Sequence, residues 1–453
     1  MENPLFNLLL NVVGAENISN KKFELLCYSR DSGSSFPRLP EYVIIPRTTE
    51  QVSDVLRIAG RYNKPVMLRG AGSSVCGAPI PIEGGIVVDM TAMRKIVEID
   101  EDSMTVTVQA GITWTEMLHE LGKRGLETGL EGPWSAPSAT VGGSIAVNAI
   151  CIGAAKHGGI GEEIIGMKVV LPNGDVLKTG SGANPACAMV ERYCNGADLA
   201  GLFIGSHGAF GVITEATLKL YPVHEADENL AFAFDDVESL SKAIQSLVKN
   251  RIPYDARTFV YPVPEQMGDK TGIVIWLRGN EEEVQRLTNL ARTLMVKNGG
   301  REVHGFAQTY YAERFTTRVK AFGAAGPGWL EVAGFVPVSY YPRVTRVVMD
   351  YFAKRASEMK NLEIKWSLGG LLMQRSINVP VALFCNEQNK EAWLKMHEYL
   401  QQVAGLMYSV GVSPYWIGLL SPYIMWKLGS AYTLFRIIKQ TLDPKNILNP
   451  NVL

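Results

Sequence analysis

Two stretches of small residues in this chain could hold an anion with main chain alone. The first, Arg69-Gly70-Ala71-Gly72-Ser73-Ser74, follows directly on the apolar run Val66-Met67-Leu68. Successive N–H groups in a tight Gly/Ala/Ser turn converge into a nest for phosphate oxygens. Glycine suits it because a Cβ would hold the backbone away from the ligand, and Ser73 and Ser74 add hydroxyl donors. An ordinary glycine-rich turn is the competing reading. A nicotinamide dinucleotide loop is disfavoured, because Pro79 and Pro81 stand where the phosphate-binding helix should begin and no βαβ unit continues from it. The second stretch is Pro137-Ser138-Ala139-Thr140-Val141-Gly142-Gly143-Ser144-Ile145-Ala146-Val147-Asn148, followed by Gly153 and Lys156-His157-Gly158-Gly159-Ile160-Gly161. So few packing side chains imply something bulky and non-protein lying against this backbone. A succession of plain loops is the alternative.

Side-chain chemistry is sparser. Arg314 and Arg318, one helical turn apart after Tyr310-Tyr311, could clamp a carboxylate; a solvated arginine pair reads the same residues. Tyr408 could serve as an acid/base or could simply pack. His157 and His207 sit inside the small-residue loops, where a plain loop histidine is the competing reading, and His119 reads as an exposed helix residue. The six histidines (119, 157, 207, 224, 304, 397) contain no pair at ligand spacing, and the six cysteines match no zinc or iron–sulfur pattern. No metal cluster is expected.

The elements that must position these residues follow from periodicity. A chain of 453 residues is long enough for two or three domains. Residues 48–61 read as a helix opened by a Thr48/Gln51 capping box, and Thr113–Glu116 opens a second. Val66–Leu68 and Ile86–Asp89 read as strands, and Val97–Ile99 with Thr105–Gln109 as a hairpin. Asn173-Gly174 predicts a type I′ turn between Met167–Leu171 and Asp175–Thr179. A strand over Gly211–Leu220 leads to Tyr221-Pro222, where a domain boundary falls. Beyond it, strand-helix-strand-strand-helix occurs twice, first from Leu230 to Lys297 and again from Leu330 to Val403. Two such split units build a ferredoxin-like α+β layer.

The 44 basic and 45 acidic residues nearly cancel, and no Lys/Arg-rich run supports nucleic-acid binding. Met1–Pro4 lacks the basic start of a signal peptide, and scattered cysteines without secretory cues suggest reduced thiols in a cytoplasmic compartment. No run is long enough to span a membrane. The aromatic segment from Tyr415 to Phe435 is expected to be a buried helix pair, with a membrane-surface or partner contact as the alternative.

Taken together, Arg69–Ser74, Glu83-Gly84-Gly85-Ile86-Val87, Ala139–Asn148, Leu171-Pro172-Asn173-Gly174 and Gly205–Ala216 resemble the FAD-binding half of vanillyl-alcohol oxidase (PCMH-type) flavoproteins. The closest branch is similar to the glycolate oxidase D-subunit and D-lactate dehydrogenase group, and the ending Asp443-Pro444…Leu448-Asn449-Pro450 matches as well. The resemblance implies an α+β fold: an N-terminal segment 1–36, a two-subdomain FAD-binding domain 37–222, a ferredoxin-like cap 223–403 and a helical segment 404–453 returning to the flavin domain. It implies that Arg69, Gly70, Ala71, Gly72, Ser73 and Ser74 bind the pyrophosphate. Pro137, Thr140, Gly142, Gly143 and Ser144 would line the flavin, with Gly158 in the same cofactor-binding set, while Val212 and Ile213 meet the adenine side. Relatives that attach flavin covalently use a histidine where this chain has Ser73, so FAD is expected to be non-covalent. The implied reaction is hydride transfer from a small 2-hydroxy acid to flavin N5, then to a quinone, an electron-transfer flavoprotein or an iron–sulfur partner subunit. An electron-relay subunit and a metal-independent oxidase of a phenolic alcohol are the alternatives. The histidine-rich metal loop of that group corresponds here to Ser376–Ala382, and its Glu-His pair to Met407–Gly411. Neither holds a histidine or carboxylate. Arg314 and Tyr408 are left as the catalytic candidates.

Overall fold

Three short apolar runs, Tyr42–Ile44, Val66–Arg69 and Ile86–Asp89, pair in parallel with Ile86–Asp89 in the middle. This is the head of a computed structural model that describes residues 4–316, 328–416, 425–450 and 452. Parallel strands need a long crossover, and the helix Thr49–Tyr62 provides one. Thr48 caps it by accepting from the Gln51 N–H at 3.2 Å, Gln51 returns a bond to the Arg47 N–H at 2.7 Å, and Asn63 ends it in the left-handed region. Its buried face (Val52, Val55, Leu56, Ala59) packs with Leu5, Leu9 and Val13 of the helix Pro4–Val13. Each buried valine or leucine among them contributes about 1.5–3 kcal/mol. The apolar N-terminal stretch is therefore core.

A second sheet is antiparallel, in the order Ile96–Asp100, Thr105–Gln109, Val212–Lys219, Ile164–Val170, Val176–Lys178. The capping box at Thr113 and Glu116 opens the helix Trp114–Gly122 as expected. The turn before Val176 departs from expectation. Gly174 donates to Leu171 O, and Gly174 has positive φ whereas Asn173 does not. The tight turn is Leu171-Pro172-Asn173-Gly174, and proline at its second position fixes a negative φ, which a type I′ turn forbids.

Chain contacts divide the molecule into two units: Met1–Cys151, Ile160–Pro222 and Ile417–Leu453 form one, and Ile152–Gly159 with Val223–Trp416 form the other. In the first unit the chain's ending lies beside the strand that feeds the glycine loop. Val66 donates to Ile447 O (2.7 Å), Asn449 N–H donates to Val66 O (2.8 Å), and Asn449 Oδ1 accepts from the Leu68 N–H (2.9 Å). Lys439, 5% exposed, holds this ending through Asp443 (2.6 Å) and the carbonyls of Ala209 and Leu448. Asp443 in turn accepts from the N–H groups of Ile447 and Leu448. The helix Ser430–Leu442 that carries Lys439 buries no other residue, and Leu434, Ile437 and the preceding Trp426 are exposed. The expected buried helix pair is not seen there. Residues 417–424 of that aromatic segment, like Arg318, lie outside the described residues.

The second unit is built on one antiparallel sheet. Its first repeat, Ala226–Phe234, Val237–Lys249, Asp255–Tyr261, Thr271–Gly279, Glu281–Lys297 and Arg301–Glu302, has the strand order four-one-three-two of a ferredoxin-like layer. The second repeat joins it where Lys365–Leu372 pairs with Asp255–Tyr261. In the second repeat the first expected helix is divided at Lys354-Arg355 into Tyr341–Ala353 and Ala356–Asn361, and the last helix, expected to stop at Val403, runs to Ser409. Among the described residues no helix is long and apolar enough to cross a membrane.

Candidate functional site

The two small-residue stretches meet. A Cβ placed on Gly70 would collide with Thr140 Oγ1, so the first loop passes against the start of the second with no room for a side chain. Thr140 is held there because it caps the short helix Val141–Ala146, accepting from the Gly143 N–H at 3.1 Å. Gly72 has φ +65°, and a Cβ there would strike the Arg69 guanidinium. That guanidinium stands 5.4 Å from the Tyr28 ring and donates to Arg30 O at 2.8 Å. The main-chain N–H groups of Ala71, Gly72 and Ser74 have no acceptor within the protein among the described residues. Orphaned donors in a turn of small residues are what a diphosphate requires.

The other expected cofactor residues are placed less uniformly. Pro137 is exposed and Gly143 half-buried, whereas Gly142 is buried, where a Cβ would strike Ala110. Packing against Ala110 thus explains that glycine without a ligand. Ser144 is 3% exposed, and its hydroxyl accepts from Trp114 Nε1 at 2.9 Å. Val212 sits in the apolar core with Val170 and the N-terminal helix, and Ile213 follows it in the strand. Gly158 belongs to the second unit, because its segment is tied there by Lys156 N–H to Tyr254 O (3.2 Å) and Lys156 Nζ to Arg278 O (3.3 Å). His207 is buried beside Cys76 (Nδ1 to Sγ 3.8 Å). Burial pushes its imidazole down to about 3 and the Cys76 thiol up to about 11, so both are neutral at pH 7.

In the second unit, sequence reasoning missed a polar patch on one sheet face. Asn229, Trp276 and Asp255 stand opposite one another across three strands, with Arg257 two residues along from Asp255. Asp255 and Arg257, 1% and 4% exposed, form a bidentate pair at 2.8 and 2.9 Å. Tyr311 Oη (3.1 Å) and the Gly153 N–H (3.3 Å) also donate to Asp255. Arg278 lies between Tyr254 and Trp276, at 4.4 and 4.5 Å from their rings. Arg314, half-buried, joins this cluster, stacked on Trp276 at 5.1 Å and Phe315 at 4.7 Å and donating to Tyr311 O at 2.8 Å. The same sheet face continues through Leu371 to Asn378, which is 1% exposed and whose Nδ2 has no protein partner. Tyr408 lies instead at the end of the helix Lys390–Ser409, half-buried. Burial raises the phenols of Tyr310, Tyr311 and Tyr341 well above the ordinary tyrosine value, so they stay protonated. The signal that could have found the patch is period two: Asp255 and Arg257 alternate inside an apolar strand, where two charges on one face must be paired.

A two-subdomain α+β unit with converging glycine-rich loops, followed by an antiparallel sheet covered by helices, defines the PCMH-type flavoprotein class. Comparison agrees. The family model described as "FAD binding domain" matches residues 40–180, and "FAD linked oxidases, C-terminal domain" matches residues 223–453. The chain belongs to the FAD-linked oxidase family. It is 33% identical over 244 residues to glycolate oxidase subunit GlcD of Bacillus subtilis, covering 54% of this chain and 50% of that protein. It is 36% identical over 185 residues to a mitochondrial D-lactate dehydrogenase [cytochrome] of Arabidopsis thaliana, covering 41% of this chain and 31% of that protein. The alignments thus span half or less of those two relatives. In fold it matches 4-ethylphenol oxidase from Gulosibacter chungangensis (TM-score 0.85, 16% identity, 99% of this chain and 96% of that one). It also matches p-cresol methylhydroxylase (TM-score 0.83, 18% identity, 100% and 97%). The protein is an FAD-linked oxidoreductase.

Proposed function

We propose that the protein dehydrogenates a small 2-hydroxy acid-like substrate and passes the electrons to a separate acceptor: a quinone, an electron-transfer flavoprotein or an iron–sulfur partner subunit. The observation that carries the substrate class is Arg314, held by stacking on Trp276 and Phe315 with one N–H already fixed on Tyr311 O. A guanidinium pre-oriented in this way loses little freedom when it forks onto a carboxylate. When bound, FAD supplies the hydride acceptor. The chain's own part is to hold the diphosphate on the Ala71–Ser74 amides and to fix the substrate's carboxylate at Arg314. Tyr408 is proposed as the acid/base group. The divalent metal used by the resembling group does not fit this chain, because Ser376–Ala382 and Met407–Gly411 offer no histidine or carboxylate. Nor do the described residues contain three such groups placed to hold a metal. For the phenolic-alcohol reading, Tyr310, Tyr311 and Tyr341 are unsuited as phenolates, since burial keeps these three protonated.

Anaerobic bleaching of the bound flavin tests the proposal. Reduction by D-lactate or glycolate supports it. Reduction by a benzylic phenol alone, or only by a partner protein, replaces it with the phenol oxidase or the relay. Arg314→Ala is expected to raise the apparent KM about 10- to 100-fold, the worth of one charge-assisted hydrogen-bond pair, and unchanged steady-state kinetics would remove Arg314 from the site. The FAD is proposed to be non-covalent, with Ser73 lacking an imidazole. Acid precipitation should leave the colour in the supernatant, and flavin remaining with the pellet would contradict this.

A further inference from the structure

Behind the diphosphate loop runs a segment that precedes the FAD binding domain match, which begins at residue 40. Ser32 donates its main-chain N–H to the carbonyls of Gly72 (2.9 Å) and Ser74 (3.0 Å), and its hydroxyl to Gly72 O (3.1 Å). Asp31, 7% exposed, accepts the Gly77 N–H on Oδ2 at 2.8 Å and the Gly33 N–H on Oδ1 at 2.9 Å. Arg30 O accepts from Arg69. These contacts fix the loop's orientation, because in a planar trans peptide the C=O of one residue and the N–H of the next point in opposite directions. With the Gly72 and Ser74 carbonyls held on Ser32, the Gly72–Ser73 and Ser74–Val75 peptide planes are fixed, and with them the course of the loop main chain that carries the Ala71, Gly72 and Ser74 N–H groups.

We propose that Arg30–Gly33 is a brace that sets the affinity of the loop for the FAD diphosphate, with Asp31 and Ser32 as its positioning residues. A second observation favours a dedicated role. Burying a carboxylate behind an anion-binding loop is costly, and burial pushes Asp31 up to about 6 even with two N–H donors and Arg69 opposing. An apolar or amide side chain would fill the place at lower cost were the two anchored amides not needed.

The test uses the full chain stripped of flavin and needs no substrate, so it stands apart from the proposed 2-hydroxy acid reaction. FAD is titrated directly and ADP in competition, ADP carrying the diphosphate without the flavin. For Asp31→Ala, both dissociation constants should rise by about tenfold or more, and by the same factor, the equivalent of one or two lost hydrogen bonds. The apoprotein's unfolding midpoint should stay near that of the parent, which a merely structural residue would not allow. Asp31→Asn keeps one acceptor, so its loss should be smaller but again equal for the two ligands, and it carries the test where the alanine variant does not fold. Affinities matching the parent in a folded variant, or loss of FAD binding without loss of ADP binding, would overturn the brace.

Discussion

Gly70→Ala should give a folded protein that purifies colourless and takes up added FAD at least about 100-fold more weakly. The new methyl would overlap Thr140 Oγ1, and a contact that close cannot be absorbed by a rotamer change, because Thr140 is fixed as a helix cap on Gly143. The loop must instead move off the second small-residue stretch, and displacing several charge-assisted amide contacts at about 1.5–3 kcal/mol each accounts for the expected loss. The steric origin can be checked separately. Thr140→Ala removes the hydroxyl, at a cost of about 1 kcal/mol for the lost cap, so Gly70→Ala/Thr140→Ala should regain much of the FAD affinity. Visible absorbance and a flavin fluorescence titration read both variants. A Gly70→Ala protein that is yellow as purified would show that the close approach of the two stretches has no part in binding.

That approach was legible in the sequence as composition but not as geometry. The five small residues Gly70–Ser74 and the many small ones between Pro137 and Asn148 have no reason to be small unless something lies against them, and their order also carried the family resemblance. Which neighbour each glycine makes room for could not be read. Gly142 and Gly70 look alike in a string, yet a Cβ would strike Ala110 at the one and Thr140 at the other. Helices with Thr caps, such as those opening at Thr48 and Thr113, were legible because cap chemistry is local. The exposed C-terminal helix was not, since apolar content alone does not say what covers it. Asp31 and Ser32 were invisible for a related reason: their partners are main-chain atoms about forty residues away, and main chain has no sequence signature.

The same blindness to pairing hid Asp255 and Arg257, whose separation should have the largest effect on stability. Asp255→Ala would strand a guanidinium that is 4% exposed and remove the acceptor of the Tyr311 hydroxyl and the Gly153 N–H. Breaking a buried pair by removing one partner costs about 3–5 kcal/mol, a large share of the roughly 5–15 kcal/mol that a domain has in reserve. Removing both charges is a different experiment. In Asp255→Ala/Arg257→Met no unpaired ion remains, so the double variant should be more stable than Asp255→Ala alone, and the coupling between the sites should exceed about 2 kcal/mol in a denaturation cycle. A chain of two units need not unfold in one step, so intrinsic fluorescence, reporting on Trp276 at 4.9 Å from Tyr311, is the appropriate probe. Because Gly153 anchors its segment on Asp255, the two variants also separate stability from function. If the carboxylate only neutralises Arg257, the double variant should retain activity. If it roots the Ile152–Gly159 segment, activity should stay low after stability has returned, and that second result is the one the Gly153 and Lys156 hydrogen bonds favour. An Asp255→Ala protein with unchanged unfolding would mean that the buried pair contributes nothing.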